Sequence, residues 1–214
     1  MLKMAMLELF RRFKFEMFAF KTHRINVYKA RKRYKKRRDL KLHFACGYVY
    51  KEGWVNIDLM NKGADLHLDL RSDLPFEENS CEEIYSEHFL EHLSYPDGAL
   101  YFLSQLHHII KPGGKVVTGV PDTEWPMRSY SSDGEYFKIV KQKDWHPDHL
   151  VTRVEHINYH FRQDGEHLFA YDEETLIHIL KRAGFTKNIV RPFDPEMDSA
   201  SRQPGSLYVE SYKE

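Results

Sequence analysis

Between residues 41 and 120, short apolar runs recur at close intervals, and each halts on glycine, proline or an acid. No other feature restricts the fold as much. Residues 41–46 form an apolar run that stops at Gly47. Residues 54–58 alternate and end on Asp58, and residues 64–68 alternate and end at Asp69. Residues 83–86 make a fourth run. A helical period follows over 96–110, with Leu100, Leu103, Leu106 and Ile110 on one side. Pro112, Gly113 and Gly114 stop that helix, and residues 115–120 read as a fifth strand halted by Pro121. Asp172 is a plausible N-cap for a later helix that Gly184 closes, and residues 186–191 and 206–212 are two last strands. Strands alternating with helices predict an α/β, doubly wound, mostly parallel sheet of seven strands.

Residues 121–171 lack a clean period and are rich in Tyr, Trp, His and Asp. A stretch that long is read as a substrate-binding or lid insertion after the fifth strand.

Charge divides the chain. Residues 1–41 hold 15 Lys and Arg against three acids, a balance of +12, and the remaining residues carry −12, although the whole of the 214 residues sums to zero. The predicted organisation is therefore a basic amphipathic helical leader, 1–40, and a body, 41–214. Leu2, Met6, Leu9, Phe13, Met17 and Phe20 follow helical spacing, and a basic run lies around Tyr34. Three readings stay open for residues 1–38: a membrane-surface helix, contact with a phosphate backbone, or packing on the chain's own acidic body or on a second copy of it in a homodimer. The lack of an aromatic-rich stacking motif argues against nucleic acid. No apolar run reaches membrane-span length. The N-terminal apolar stretch is cut by Glu8, Arg11 and Arg12, so no signal peptide is expected. Two cysteines make no disulfide framework and fit a reducing compartment, so the expected location is cytoplasmic, with the inner membrane face as its alternative.

In open α/β sheets ligands sit at the carboxyl ends of the strands. Gly47 permits close backbone approach there. Asp58 can accept the hydroxyl protons of a ribose, and Asp69 can accept from an exocyclic adenine amine. Glu87 and His88 follow the next strand. Together these outline an adenosine pocket. No glycine-rich loop leads into Lys-Ser or Lys-Thr, which argues against a triphosphate site.

The ordered set 43–47 (HFACG), 53–58 (GWVNID), 69–76 (DLRSDLPF), 86–93 (SEHFLEHL), 111–114 (KPGG) and 120–122 (VPD) resembles the class I S-adenosylmethionine-dependent methyltransferases. It is most similar to the small methyltransferase domains often associated with glycan and cell-envelope synthesis. The resemblance implies S-adenosyl-L-methionine as cofactor. It also implies that Ala45, Cys46 and Gly47 pass the cofactor's amino-acid end, Asp58 holds the ribose, Asp69 and Leu70 flank the adenine, and Glu87 and His88 line the methionine side. The family usually has glycine where Ala45 stands here.

Methyl transfer to a hydroxyl needs in-line alignment and removal of a proton, a task for histidine. His92 is the first candidate base and His167 the second, with Asp122 to orient either the base or the acceptor. His146/His149 and His156/His160 have spacings compatible with a metal, but no cysteine accompanies them, and no metal is expected. The expected function is O-methylation of a glycan or other small hydroxylated acceptor. Its alternatives are N- or C-methylation of a lipid, quinone-like molecule or protein, or an inactive cofactor-binding module.

Overall fold

The computed structural model describes residues 2–214, with side chains from Met6 onward, so Leu2 of the predicted apolar stripe falls outside the described side chains. Helix α1 (Leu2–Tyr34) is followed by strands β1 (Leu40–Phe44), β2 (Val55–Ile57) and β3 (Cys81–Glu87). Helix α2 (Asp97–Ile109) leads directly into β4 (Ile110–Pro121). Three helices come next: α3 (Glu124–Tyr130), α4 (Glu135–Gln142) and α5 (Arg153–Arg162). Helix α6 (Glu173–Arg182), β5 (Lys187–Arg191) and β6 (Ser206–Tyr212) complete the chain.

The sheet has six strands in the order β2-β1-β3-β4-β6-β5. The first four are parallel, and β6 runs antiparallel to both β4 and β5. The run at 64–68 contributes only one parallel bridge, Ile57 to Leu66. That is why six strands stand where the sequence suggested seven. Asp65 explains part of this, because its carboxylate accepts from the Asn56 backbone N–H at 2.8 Å, where a neighbouring strand's carbonyl would otherwise sit.

The strands are apolar because both faces are covered. Leu42, Phe44, Ile57, Ile84, Val116, Val120 and Val209 are buried with Phe102, Leu103, Leu106, Leu176, Ile179 and Leu180 from α2 and α6. Gly119 sits where an added Cβ would lie 2.8 Å from the Tyr208 ring and 3.1 Å from Glu87, so only glycine lets β6 close on β4 at this point.

Helix α1 uses a different face from the predicted stripe. Ala19, His23, Asn26, Ala30 and Tyr34 are buried at spacings of four and three, and Ala30 and Tyr34 join the main core. Met6, Leu9, Phe13 and Phe20 are instead exposed, each by more than half. Helical periodicity reveals a face but not what covers it.

The 121–171 segment holds α3–α5 around a small core of Tyr136, Phe137 and Val140 with Trp125, Trp145 and Ile157. Thr152 caps α5 by a reciprocal capping box with Glu155.

Candidate functional site

The loop after β1 carries Ala45 and Gly47 with φ near +50°, a left-handed conformation that bends the chain sharply at the sheet's carboxyl edge. The Gly47 backbone N–H donates to Asp58 Oδ2 at 3.0 Å, tying the ends of β1 and β2 together. Asp58 Oδ1 accepts from the backbone N–H groups of Met60 and Asn61 at 2.8 and 2.9 Å. Two carboxylate oxygens offer about four acceptor positions, so one remains free.

Beside this loop lies a groove of about 460 Å³. Ala45, Asp58, Asp69 and Leu70 line it, with Leu59, Leu68, Phe89 and Leu93 supplying apolar walls and Phe15 of α1 closing one side. Four expected cofactor residues are thus brought together. Asp69, however, is already committed: Arg71 donates to both its oxygens at 2.9 and 2.8 Å and continues to Glu16 of α1. With the Arg71 backbone N–H also donating to Oδ1 at 3.0 Å, three of its acceptor positions are taken and, as at Asp58, one remains. Cys46 is buried beneath the loop, and burial pushes its thiol up to about 11.

Glu87 and His88 turn the other way. The Glu87 carboxylate accepts from Tyr208 Oη at 2.5 Å and pairs with Arg202 at 3.1 Å. His88 Nε2 lies 2.7 Å from Ser206 Oγ. Burial holds the His88 imidazole well below its ordinary value, reinforced by the Arg202 charge. Both residues therefore bond to the C-terminal segment, and neither lines the groove beside Asp58.

That side holds a second cavity, of about 190 Å³. His88, His160 and His167 meet Trp145, Tyr159 and Arg202 there. Burial lowers His160 to about 3, so it is a neutral ring at physiological pH, and its Nε2 has no partner. His146 lies Nδ1 to Nδ1 with His156 at 2.9 Å and is lowered by burial to about 4. The structure thus joins His146 to His156 across the two sequence pairs, while His149 is exposed. Arg202 has no signal in the sequence. Arg202 stands more than 100 residues from Glu87, beyond the reach of any local pattern.

The groove and the cavity meet at two histidines. His92 lines the groove and His167 the cavity, and their ring centroids are 5.0 Å apart. His92 Nδ1 lies 3.0 Å from the Glu166 carbonyl, and His167 Nδ1 lies 3.1 Å from the His160 carbonyl. A carbonyl can only accept, so each Nδ1 carries the proton and each Nε2 keeps a free lone pair. Burial, then the neighbouring His92, lowers the His167 imidazole. Glu91, adjacent to His92, is 1% exposed and neither of its carboxylate oxygens has a partner among the described residues. Burial pushes this carboxyl up to about 8.

Asp122 is not with them. Its Oδ1 accepts from the Glu124 backbone N–H at 2.9 Å and its Oδ2 lies 3.8 Å from Arg128, so its carboxylate caps the start of α3. The backbone of Asp122 lies against the His160 ring.

Residues 5–189 match a family described as a methyltransferase domain. Among solved structures the chain is similar to a possible exported protein from Bordetella parapertussis, at 13% identity and TM-score 0.51, over 87% of this chain and 65% of that one. It is also similar to an S-adenosylmethionine-dependent methyltransferase from Mesorhizobium loti, at 16% identity and TM-score 0.49, over 83% and 92% of the two chains. A third, a SAM-dependent methyltransferase from Archaeoglobus fulgidus, has 16% identity and TM-score 0.49 over 94% and 99%. The chain spans less than two thirds of the Bordetella protein's length. No curated protein matches it.

Proposed function

The chain belongs to the methyltransferase domain family, whose cofactor is S-adenosylmethionine, and from that premise we propose that it methylates a hydroxyl of a small polyhydroxylated acceptor such as a glycan. The groove's chemistry fits the cofactor. Leu59, Leu68, Leu70 and Phe89 offer an apolar slot for a purine, and Asp58 keeps an acceptor position for a ribose hydroxyl. A Cβ built on Gly47 meets nothing within 4 Å, so the space above the loop is open. Ala45, Asp58 and Leu70 would hold the group. When bound, S-adenosylmethionine supplies an electrophilic methyl carried on a sulfonium.

One observation carries this reading: the groove and the cavity share a boundary formed by His92 and His167. The chain's own work is to orient the acceptor, keep water out and take its proton. Trp145 and Tyr159 offer ring faces to a sugar, and Gln163, Ser201 and Arg202 offer hydrogen bonds. The free Nε2 of His167 suits removal of the hydroxyl proton, and His92 holds the second free Nε2 of the pair. In this reading residues 121–171 are the acceptor-binding insertion.

Labelled-methyl transfer against fractionated lysate tests it. Alkali-stable label on hydroxylated small molecules, lost in His167→Ala, is expected. Label found only on amines contradicts it.

The surface of α1 supports a place of work at an anionic membrane face. At 100° per residue, Met6, Leu9, Phe10, Phe13, Met17 and Phe20 fall within one arc of roughly 100°, centred about 110° around the helix from the buried face. Arg24 and Arg31 continue that same arc. No helix among the described residues is long and apolar enough to cross a membrane, so the helix would lie in the interface. Helix-to-helix pairing of two copies would bring two helices of +8 each together.

A further inference from the structure

The junction of groove and cavity holds an unusual donor set. Glu91, His92 and His167 each present one ligating atom, and the three atoms lie within 4.8 Å of one another. Both Nδ1–H groups are already given to backbone carbonyls, of Glu166 and His160, which fixes the tautomer and leaves Nε2 of each ring free. Histidines that ligate metals are commonly oriented this way, the far ring nitrogen donating to a carbonyl or carboxylate. The third member is the Glu91 carboxyl, buried and with neither oxygen hydrogen-bonded among the described residues. A buried polar group without a partner is costly and calls for an explanation.

The scaffold around the three is built, not incidental. Glu91 and His92 sit on a tight 3-10 turn, Leu90–His92. The Glu91 backbone carbonyl accepts from the backbone N–H groups of Leu168 and Phe169 at 2.8 and 3.2 Å. These bonds pin the segment bearing His167 beside the turn bearing the other two. Glu91 Oε1 is 3.9 Å from His92 Nε2.

We propose that Glu91, His92 and His167 bind one divalent transition-metal ion of the Zn²⁺ kind at the boundary between the groove and the cavity. Two neutral imidazoles and a carboxylate are an established donor set for that ion, and three protein ligands leave a position open. Tetrahedral bonds of about 2 Å place ligand atoms roughly 3.3 Å apart, so side-chain shifts of the order of 1 Å close the site. The ion would give the isolated Glu91 carboxylate a partner. The site itself stands on the donor set. Its link to catalysis rests on the methyl-transfer reading: a hydroxyl brought to the open position would be acidified by the ion and lose its proton to water, replacing the task given above to the bare imidazole.

The test is calorimetric titration of the chelator-treated full-length chain with Zn²⁺, with metal content measured after gel filtration. One Zn²⁺ per chain is expected. Glu91→Gln and His167→Ala should each weaken it at least tenfold, and His146→Ala should leave it unchanged. Glu91→Gln preserves the side chain's shape, and its binding of S-adenosylhomocysteine reports that it is folded. Wild-type protein that binds S-adenosylhomocysteine but takes up no Zn²⁺ overturns the metal site and leaves the methyl-transfer reading standing. Zn²⁺ bound equally well by His167→Ala also overturns it, because the ion then sits elsewhere. Zn²⁺ bound at these residues by a chain that ignores S-adenosylhomocysteine supports the site and defeats the methyl-transfer reading instead.

Discussion

His43 illustrates how a single side chain sets a pH dependence. It sits on β1, buried, with Nδ1 3.1 Å from Asn56 Oδ1. Burial lowers its pKa from 6.5 to about 4, with the Asn56 hydrogen bond opposing. The unfolded chain therefore takes up a proton near pH 6.5 that the native protein refuses until about pH 4. Stability is full above that window and falls as pH drops through it, by roughly 3 kcal/mol from this residue alone. Urea unfolding of His43→Gln across pH 7 to 4 should show a shallower loss than wild type by about that amount, roughly 3 kcal/mol. Parallel profiles for the two proteins would refute this origin. The same scale shows what a residue pattern conveys. Asp58 and Asp69 stand at the ends of apolar runs and were legible as candidate site acids. The Arg71 guanidinium that occupies Asp69 lies only two residues away in sequence, yet nothing in the local pattern says whether it turns inward to pair or outward to water. Glu87 and His88 were legible as residues of the same edge, but strand position fixes which edge a residue reaches, not which side of that edge it faces.

At the scale of elements, β1, β2, β3 and β4 were readable because both faces of a parallel sheet are covered, so each strand carries a short buried apolar stretch. Helix α1 was readable as a helix but not in its docking. Its buried stripe includes His23 and Asn26, polar residues that sequence places on the outside. His23 Nδ1 accepts from the Asp69 backbone N–H at 3.2 Å, which accounts for burying an imidazole there. The same helix contributes Phe15 to the groove wall and Glu16 to the Arg71 pair, so the helix proposed to meet a lipid face also borders the groove proposed for the cofactor. Co-sedimentation with vesicles tests the lipid assignment. Wild type should bind phosphatidylserine-containing vesicles, bind neutral phosphatidylcholine vesicles at least tenfold more weakly, and lose both with Phe13→Glu combined with Met17→Glu. Equal partition of wild type and the double variant would contradict it.

The whole molecule is two compartments on one sheet edge. The groove is built largely from residues 45–93, near one another in sequence, and most of it was legible there. The cavity joins the end of β4, helix α5 and the segment 201–205, and only long-range packing brings these together. Its histidines were visible as a cluster in the chain, but the pairing of His146, in the loop after α4, with His156 on α5 was not. The central claim is that the groove beside Asp58 holds the cofactor. The removal of one charged acceptor, at ~1.5–3 kcal/mol, corresponds to roughly 10- to 100-fold in affinity. Isothermal titration with S-adenosylhomocysteine tests the claim directly: wild type should bind one molecule per chain and Asp58→Asn should bind it roughly 10- to 100-fold more weakly. No heat with wild type, or equal affinity in the two proteins, would contradict the account.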